Sequence, residues 1–155
     1  MSTVTTVLGT RTQLSGAAAA LASLANVTYV LIGTITIVAS NKVPADLEIE
    51  LSATPGTVSG TMPGIYLFAQ LSMDGTNFGS GPTSGTTTTD EANLVPIGFL
   101  PLNTSAALKR GFFSLAAVCP NFTLPYAVKI IAKNSSGAAL ASGDVYTQLQ
   151  TGDIT

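Results

Sequence analysis

The stretch from Phe122 to Tyr146 constrains the fold of this chain more than any other, because it couples a two-residue apolar period to turn chemistry. Tyr126, Val128, Ile130 and Ala132 share one face of an extended segment and point to a core, while Lys129 and Lys133 fall on the opposite face. That is the pattern of a half-buried strand. Asn134-Ser135-Ser136-Gly137 follows; Asn and Gly tolerate positive φ and Ser bonds its own backbone, so the tetrad reads as a hairpin loop. Leu140 to Leu149 then returns as the partner strand of that hairpin.

A second strand is written in Asp46-Leu47-Glu48-Ile49-Glu50-Leu51, the most regular polar and apolar alternation in the chain. Three carboxylates on one face raise the options of a calcium site or the acid pair of glycoside hydrolysis. On a flat strand, however, they splay apart and lack the converging oxygens of a calcium loop. The competing readings are a solvated or edge face that discourages unwanted pairing, and cross-strand or intersubunit pairing with Lys129 and Lys133. No metal and no cofactor are expected, and Asp46, Glu48 and Glu50 are assigned to partner contact.

No charged residue occurs between Thr12 and Asn41. Asn26, Thr28, Gly33, Thr34 and Thr36 interrupt this run, and its β-branched content from Val27 to Ala39 marks a strand, whereas a membrane span needs about 20 mostly apolar residues. No basic segment precedes the run and the chain opens on Met1, so neither a signal peptide nor a membrane partner is expected. Gly16 to Leu24, rich in Ala, suits a short helix or an apolar loop. Val4, Val7, Leu8 and Leu14 are too irregularly spaced for a helix, and residues 1–15 read as an extended N-terminal arm. Val4, Val7, Leu8 and Arg11 would dock it on a neighbour. Residues 16–155 are expected to form a single sandwich domain.

After a Gly- and Pro-punctuated loop from Thr54 to Gly64, Ile65 to Met73 alternates again, with Ile65, Leu67, Ala69 and Leu71 opposite Tyr66, Phe68, Gln70 and Ser72. Asp74-Gly75 is a turn signal that ends this strand. The segment from Gly75 to Asn93 has few apolar groups to set against about 1–2 kcal/mol of backbone entropy per residue. It is therefore expected to be ordered by a neighbouring subunit, with Thr86, Thr87 and Thr88 as contacts. Leu94 to Leu102 and Gly111 to Val118 suit short strands. Lys109-Arg110, beside Phe112 and Phe113, reads as an exposed turn and not as an RNA platform.

A chain of 155 residues can bury one proper core. Only 9% of them are charged, against about 25% in an average soluble domain. Such a surface is covered by hydroxyls or by other protein, which favours an assembly. Six scattered Lys and Arg lay no track along phosphates, so nucleic acid is not an expected partner. The absence of His removes the usual general base, metal ligand and pH switch together. Cys119 stands alone, is read as a small buried side chain and permits cytosolic assembly. Asn26, Asn103, Asn121 and Asn134 each open an Asn-X-Ser/Thr triplet, which the abundance of hydroxyl residues explains. A hydrolase built on Asp46, Glu48 or Asp74 finds no environment that would raise a carboxyl pKa. A carbohydrate-binding module or receptor adhesin wants exposed aromatic platforms, and this chain has no Trp and four Tyr.

Leu124-Pro125-Tyr126, the strand ending in Asn134, Gly137-Ala138-Ala139-Leu140 and Ser142-Gly143-Asp144 together resemble the C-terminal part of small virion proteins of tailed bacteriophages. Leu71-Ser72-Met73-Asp74-Gly75-Thr76-Asn77-Phe78 resembles the Ser-X-Asp-Gly-X-X-aromatic segment of the same proteins, so that about half of the chain is covered. The resemblance implies a cement or decoration protein on the capsid surface, or a tail-surface protein, assembled in the host cytoplasm. It implies a major capsid protein or another virion protein as partner, and no catalytic residues. A symmetric homo-oligomer, a trimer, is expected. About eight strand segments separated by Gly, Pro, Ser and Thr breaks predict an all-β fold, an antiparallel β-sandwich, with the jelly roll among its topologies.

Overall fold

In the computed structural model, which describes residues 4–37, 42–119 and 124–154, the period-two segments become strands whose apolar halves meet between two antiparallel sheets. The first sheet holds β1 (Val4–Leu8), β2 (Thr12–Gln13), β4 (Val43–Pro55), β8 (Lys109–Ser114) and β10 (Leu140–Ile154). Its order is β1-β10-β4-β8, with β2 also on β10. The second holds β3 (Tyr29–Thr36), β5 (Gly64–Ser72), β6 (Ser84–Gly85), β7 (Val95–Pro101) and β9 (Ala127–Asn134), in the order β6-β3-β9-β5-β7. The short helix α1 (Ala17–Leu21) packs against β10 and β3. The chain is an all-β sandwich.

The core is built by the alternations visible in the sequence. Leu47, Ile49 and Leu51 of β4 meet Ile65, Leu67 and Ala69 of β5 and Val128, Ile130 and Ala132 of β9, while Leu21 of α1 closes one side. Each fully buried Leu or Ile contributes about 1.5–3 kcal/mol. β5 is covered on its second face as well: Phe68 joins Tyr29, Leu94 and Ile131 in a smaller apolar cluster, and Gln70 and Ser72 are buried beside it.

The expected hairpin does not form. β9 lies between β3 and β5, and β10 between β4 and the β1/β2 segment, so the two strands belong to different sheets. The Asn134–Gly137 tetrad is an arch across the sandwich. Asn134 is fully buried; its Nδ2 donates to the carbonyls of Leu24 and Ala138, both at 2.8 Å, and its Oδ1 accepts from Ser136 N at 2.9 Å. Gly137 sits at φ 89, where a Cβ would stand 2.6 Å from the Ser59 carbonyl oxygen. Turn residues set the sharpness of a reversal, but which strand edge receives the returning chain is set by the sheets around it. β3 to β4 to β5, and β7 to β8 to β9 to β10, change sheets at every step. Tyr126 precedes β9 and is half-exposed, outside the core to which its parity assigned it. Ser2, Ala39, Asn41, Asn121 and Phe122, on which other readings rested, lie outside the described residues.

Two further expectations are corrected. Lys109 and Arg110 open the edge strand β8 and do not form a turn. The segment from Gly75 to Asn93 takes its order from its own domain. Asp74 Oδ1 accepts from the amides of Thr76 and Asn77, both at 2.8 Å, Gly79 N donates to Leu71 O, and Gln70 Nε2 donates to Gly81 O at 2.9 Å. β6 then pairs with Tyr29 and Val30 of β3, and Lys133 Nζ donates to both oxygens of Glu91 at 2.9 and 3.1 Å. Local capping and polar bonds to the covered face of β5 replace the apolar contacts that the composition lacks.

Candidate interaction surface

Because successive residues of a strand face opposite sides, burying Leu47, Ile49 and Leu51 turns Glu48, Glu50 and Ser52 to the outer face of the first sheet. Register sets Glu50 between Tyr146 and Phe112, Glu48 between Gln148 and Ser114, and Ser52 between Asp144 and Arg110. Glu50 is buried although it faces outward. Arg11 Nε donates to its Oε2 at 2.7 Å, Arg110 Nη1 lies 3.6 Å from its Oε1, and the Arg11 guanidinium covers the Tyr146 ring at 3.4 Å from the centroid. The Arg11 hydrogen bond, helped by the charges of Arg11 and Arg110, outweighs burial and holds the Glu50 carboxyl below its ordinary value.

The other acids of this strand are engaged one by one. Glu48 accepts from Gln150 Nε2 at 2.5 Å, and Asp46 accepts from the amide of Ala116 at 2.8 Å. Among the described residues no group of three His, Cys, Asp or Glu side chains converges as a metal site would. Within the chain the lysines proposed as partners of these acids are not used: Lys133 pairs with Glu91 and Lys129 lies over the Phe78 ring, both on the second sheet. Arg11 and Arg110 take that role. Arg11 is 39 positions from Glu50, so no local pattern announces the pair.

Around this cluster a shallow depression of about 50 Å³ is lined by Arg11, Glu48, Glu50, Phe112, Tyr146 and Gln148. Phe112 beside it is 74% exposed. The structure thus brings Arg11, Glu48 and Glu50 together, places Asp46 on the same strand, and sets Val4, Val7 and Leu8 in β1 at the edge of the same sheet. Thr86, Thr87 and Thr88 are exposed but follow β6 of the second sheet, apart from this face. Arg110, Phe112 and Tyr146 are the contributors that sequence reasoning missed. Phe112 was legible in part, as an aromatic residue beside two basic ones.

The remaining chemical candidates have structural roles. Asp74 closes a turn, where the amides of Asn77 and Thr76 hold its carboxyl far below the usual range, the opposite of what a general acid requires. Cys119 is buried, and burial, with the nearby Asp46 charge adding, pushes its thiol up and away from nucleophilic reactivity. Asn134 is enclosed in the arch and offers no glycosylation acceptor. No helix among the described residues is long and apolar enough to cross a membrane.

No family model matches the chain, and no curated protein sequence matches it. Among solved structures, it is similar to a viral particle of infectious bursal disease virus, at 13% identity and a TM-score of 0.43, over 97% of this chain and 31% of that one. It is also similar to the VP2 subviral particle of the same virus, at 12% identity and a TM-score of 0.33, over 97% of this chain and 32% of that one. The chain spans about a third of the length of these relatives. Likeness this distant carries no functional information.

Proposed function

We propose that the chain is a non-enzymatic structural virion protein that binds and stabilises a capsid surface, in the manner of a cement or decoration protein. The outer face of the β1-β10-β4-β8 sheet is its contact surface. The observation that carries this reading is the exposure of large apolar side chains on a face with little charge: Phe112 at 74% on β8 and Leu8 at 61% on β1. Each square ångström of apolar surface removed from water contributes about 25 cal/mol, and a partner is the natural means of removing it. Aromatic residues, Met and Arg are the types enriched at protein interfaces, and Phe112 with Tyr146, Arg11 and Arg110 is such a set. The resemblance to phage virion proteins supports the same reading. Its motifs coincide with the Asp74 turn and the Asn134 arch, which are framework and carry no reaction chemistry. The partner is a major capsid protein or another virion protein.

Electron microscopy of the parent particle tests the proposal, together with co-sedimentation of the purified chain with particles stripped of it. Density on the capsid surface, and binding lost on Phe112→Ser with the fold intact, are expected. Density confined to a tail, or failure to bind stripped shells, would overturn it.

A further inference from the structure

We infer that β1 is an open sheet edge that pairs antiparallel with β1 of a second copy, about a two-fold axis through Thr6. The other described sheet edges carry devices that discourage pairing or, as in β2 and β6, are only two residues long. β8 begins with Lys109 and Arg110; β7 contains Pro96 and Pro101, which have no N–H to donate. β3 is bulged between Leu31 and Gly33, and the Leu14 side chain packs so closely on Gly33 that a Cβ there would meet it at 2.9 Å. β1 has none of these. Val4-Thr5-Thr6-Val7-Leu8 contains no charge, Pro or Gly, its register with β10 is unbroken, and no described strand pairs with its far side.

The backbone sets the geometry of such a pairing. Gly9 N donates to Leu149 O at 2.8 Å, and the register continues through Leu8 opposite Gln150. In an antiparallel ladder the bonding direction alternates, so the amides and carbonyls of Thr5 and Val7 point to β10, and those of Val4, Thr6 and Leu8 point away. This outward row is complementary to another extended strand. A two-fold axis perpendicular to the sheet preserves its faces, so only residues of the same parity stand opposite one another. Centred on Thr6, it sets Thr6 against Thr6 and Val4 against Leu8, and all three outward residues exchange their bonds with the copy. Leu8, 61% exposed, comes to lie along that seam. Absence of charge is what permits self-pairing: a β8 edge meeting its own copy would gather two Lys and two Arg side chains. The result is one sheet continuous across two copies, an isologous contact. It stands apart from the virion reading.

Sedimentation equilibrium of the full chain tests it. The wild type is expected to form a reversible, concentration-dependent dimer. Thr6→Pro removes an N–H that the chain's own ladder does not use, and should yield a monomer with a nearly unchanged thermal midpoint. Thr6→Lys and Thr6→Glu each place like charges directly opposite and should associate roughly tenfold more weakly, whereas their equimolar mixture should recover the dimer. A monomeric wild type at every concentration, a trimer, a dimer that survives in Thr6→Pro, or a mixture no tighter than either variant alone would each overturn the inference.

Discussion

The Nε–H of Arg11 donates to Oε2 of Glu50 at 2.7 Å, which ties the segment leading into β2 to the outer face of β4. The anion of this pair is nearly enclosed, with 9% of its side chain exposed, while the cation keeps 46%. The two partners are therefore not equivalent: losing the cation strands a buried charge, whereas losing the anion frees an arginine that water can solvate.

Arg11→Ala is expected to lower the unfolding midpoint, because it removes a 2.7 Å hydrogen bond from a nearly enclosed carboxylate, an effect moderated by the exposure of Arg11. Arg110→Ala, at 3.6 Å and more exposed, should cost less than about 1 kcal/mol. Urea unfolding of the two variants provides the comparison, and a larger loss at Arg110 would contradict the geometry.

The pH dependence has a defined sign. Glu50 titrates below its ordinary 4.5 in the folded chain, so its contribution is complete above that value and is lost as pH falls through the folded pKa. The thermal midpoint should fall as the solution is acidified below about 4.5, and Glu50→Gln should show a shallower fall over the same interval. Equal slopes would remove Glu50 from the account.

Asn134→Ala is expected to destabilise the protein by about 1–3 kcal/mol. The Leu24 carbonyl still accepts from Leu140 N and the Ala138 carbonyl from Ser136 Oγ, but the amide of Ser136 loses its acceptor inside a buried corner. A substitution without effect in denaturant melts would show that the arch does not depend on its asparagine.

Hydrogen exchange on the isolated chain should find the amides of Thr76, Asn77, Gly79 and Leu94 protected, because each has an acceptor in its own domain. Thr86 and Thr87, exposed beyond β6, should exchange fast. Protection of all six only when the chain is bound to a partner would reverse the finding that this segment orders itself.

Calcium at millimolar concentration should leave the thermal midpoint unchanged, since Asp46, Glu48 and Glu50 are each committed to a different donor. A rise reversed by chelator would mean that these carboxylates rearrange around the ion.

Much of the interior is legible in the alternation of the strands. Leu47, Ile49 and Leu51, Ile65, Leu67 and Ala69, and Val128, Ile130 and Ala132 are buried as their spacing implies. The Asp74-Gly75 turn and the buried Cys119 follow from local chemistry in the same way. The outer face is only half legible. Its acids are visible as a stripe, but the arginines that neutralise Glu50 come from β8 and from the segment before β2, and their meeting depends on strand order.

In β4 and β9 the inward-facing residues follow from the sequence, because side-chain alternation is a consequence of extended backbone geometry and needs no partner. Tertiary structure alone decided which strands lie side by side. Backbone N–H and C=O groups are alike along every strand, so a regular alternation is equally compatible with a return in the same sheet or across the sandwich. Competition among all the edges places β9 between β3 and β5 and sends β10 to β4. From that placement follow the arch at Asn134, the pairing of Glu50 with Arg11 and Arg110, and the open edge at β1.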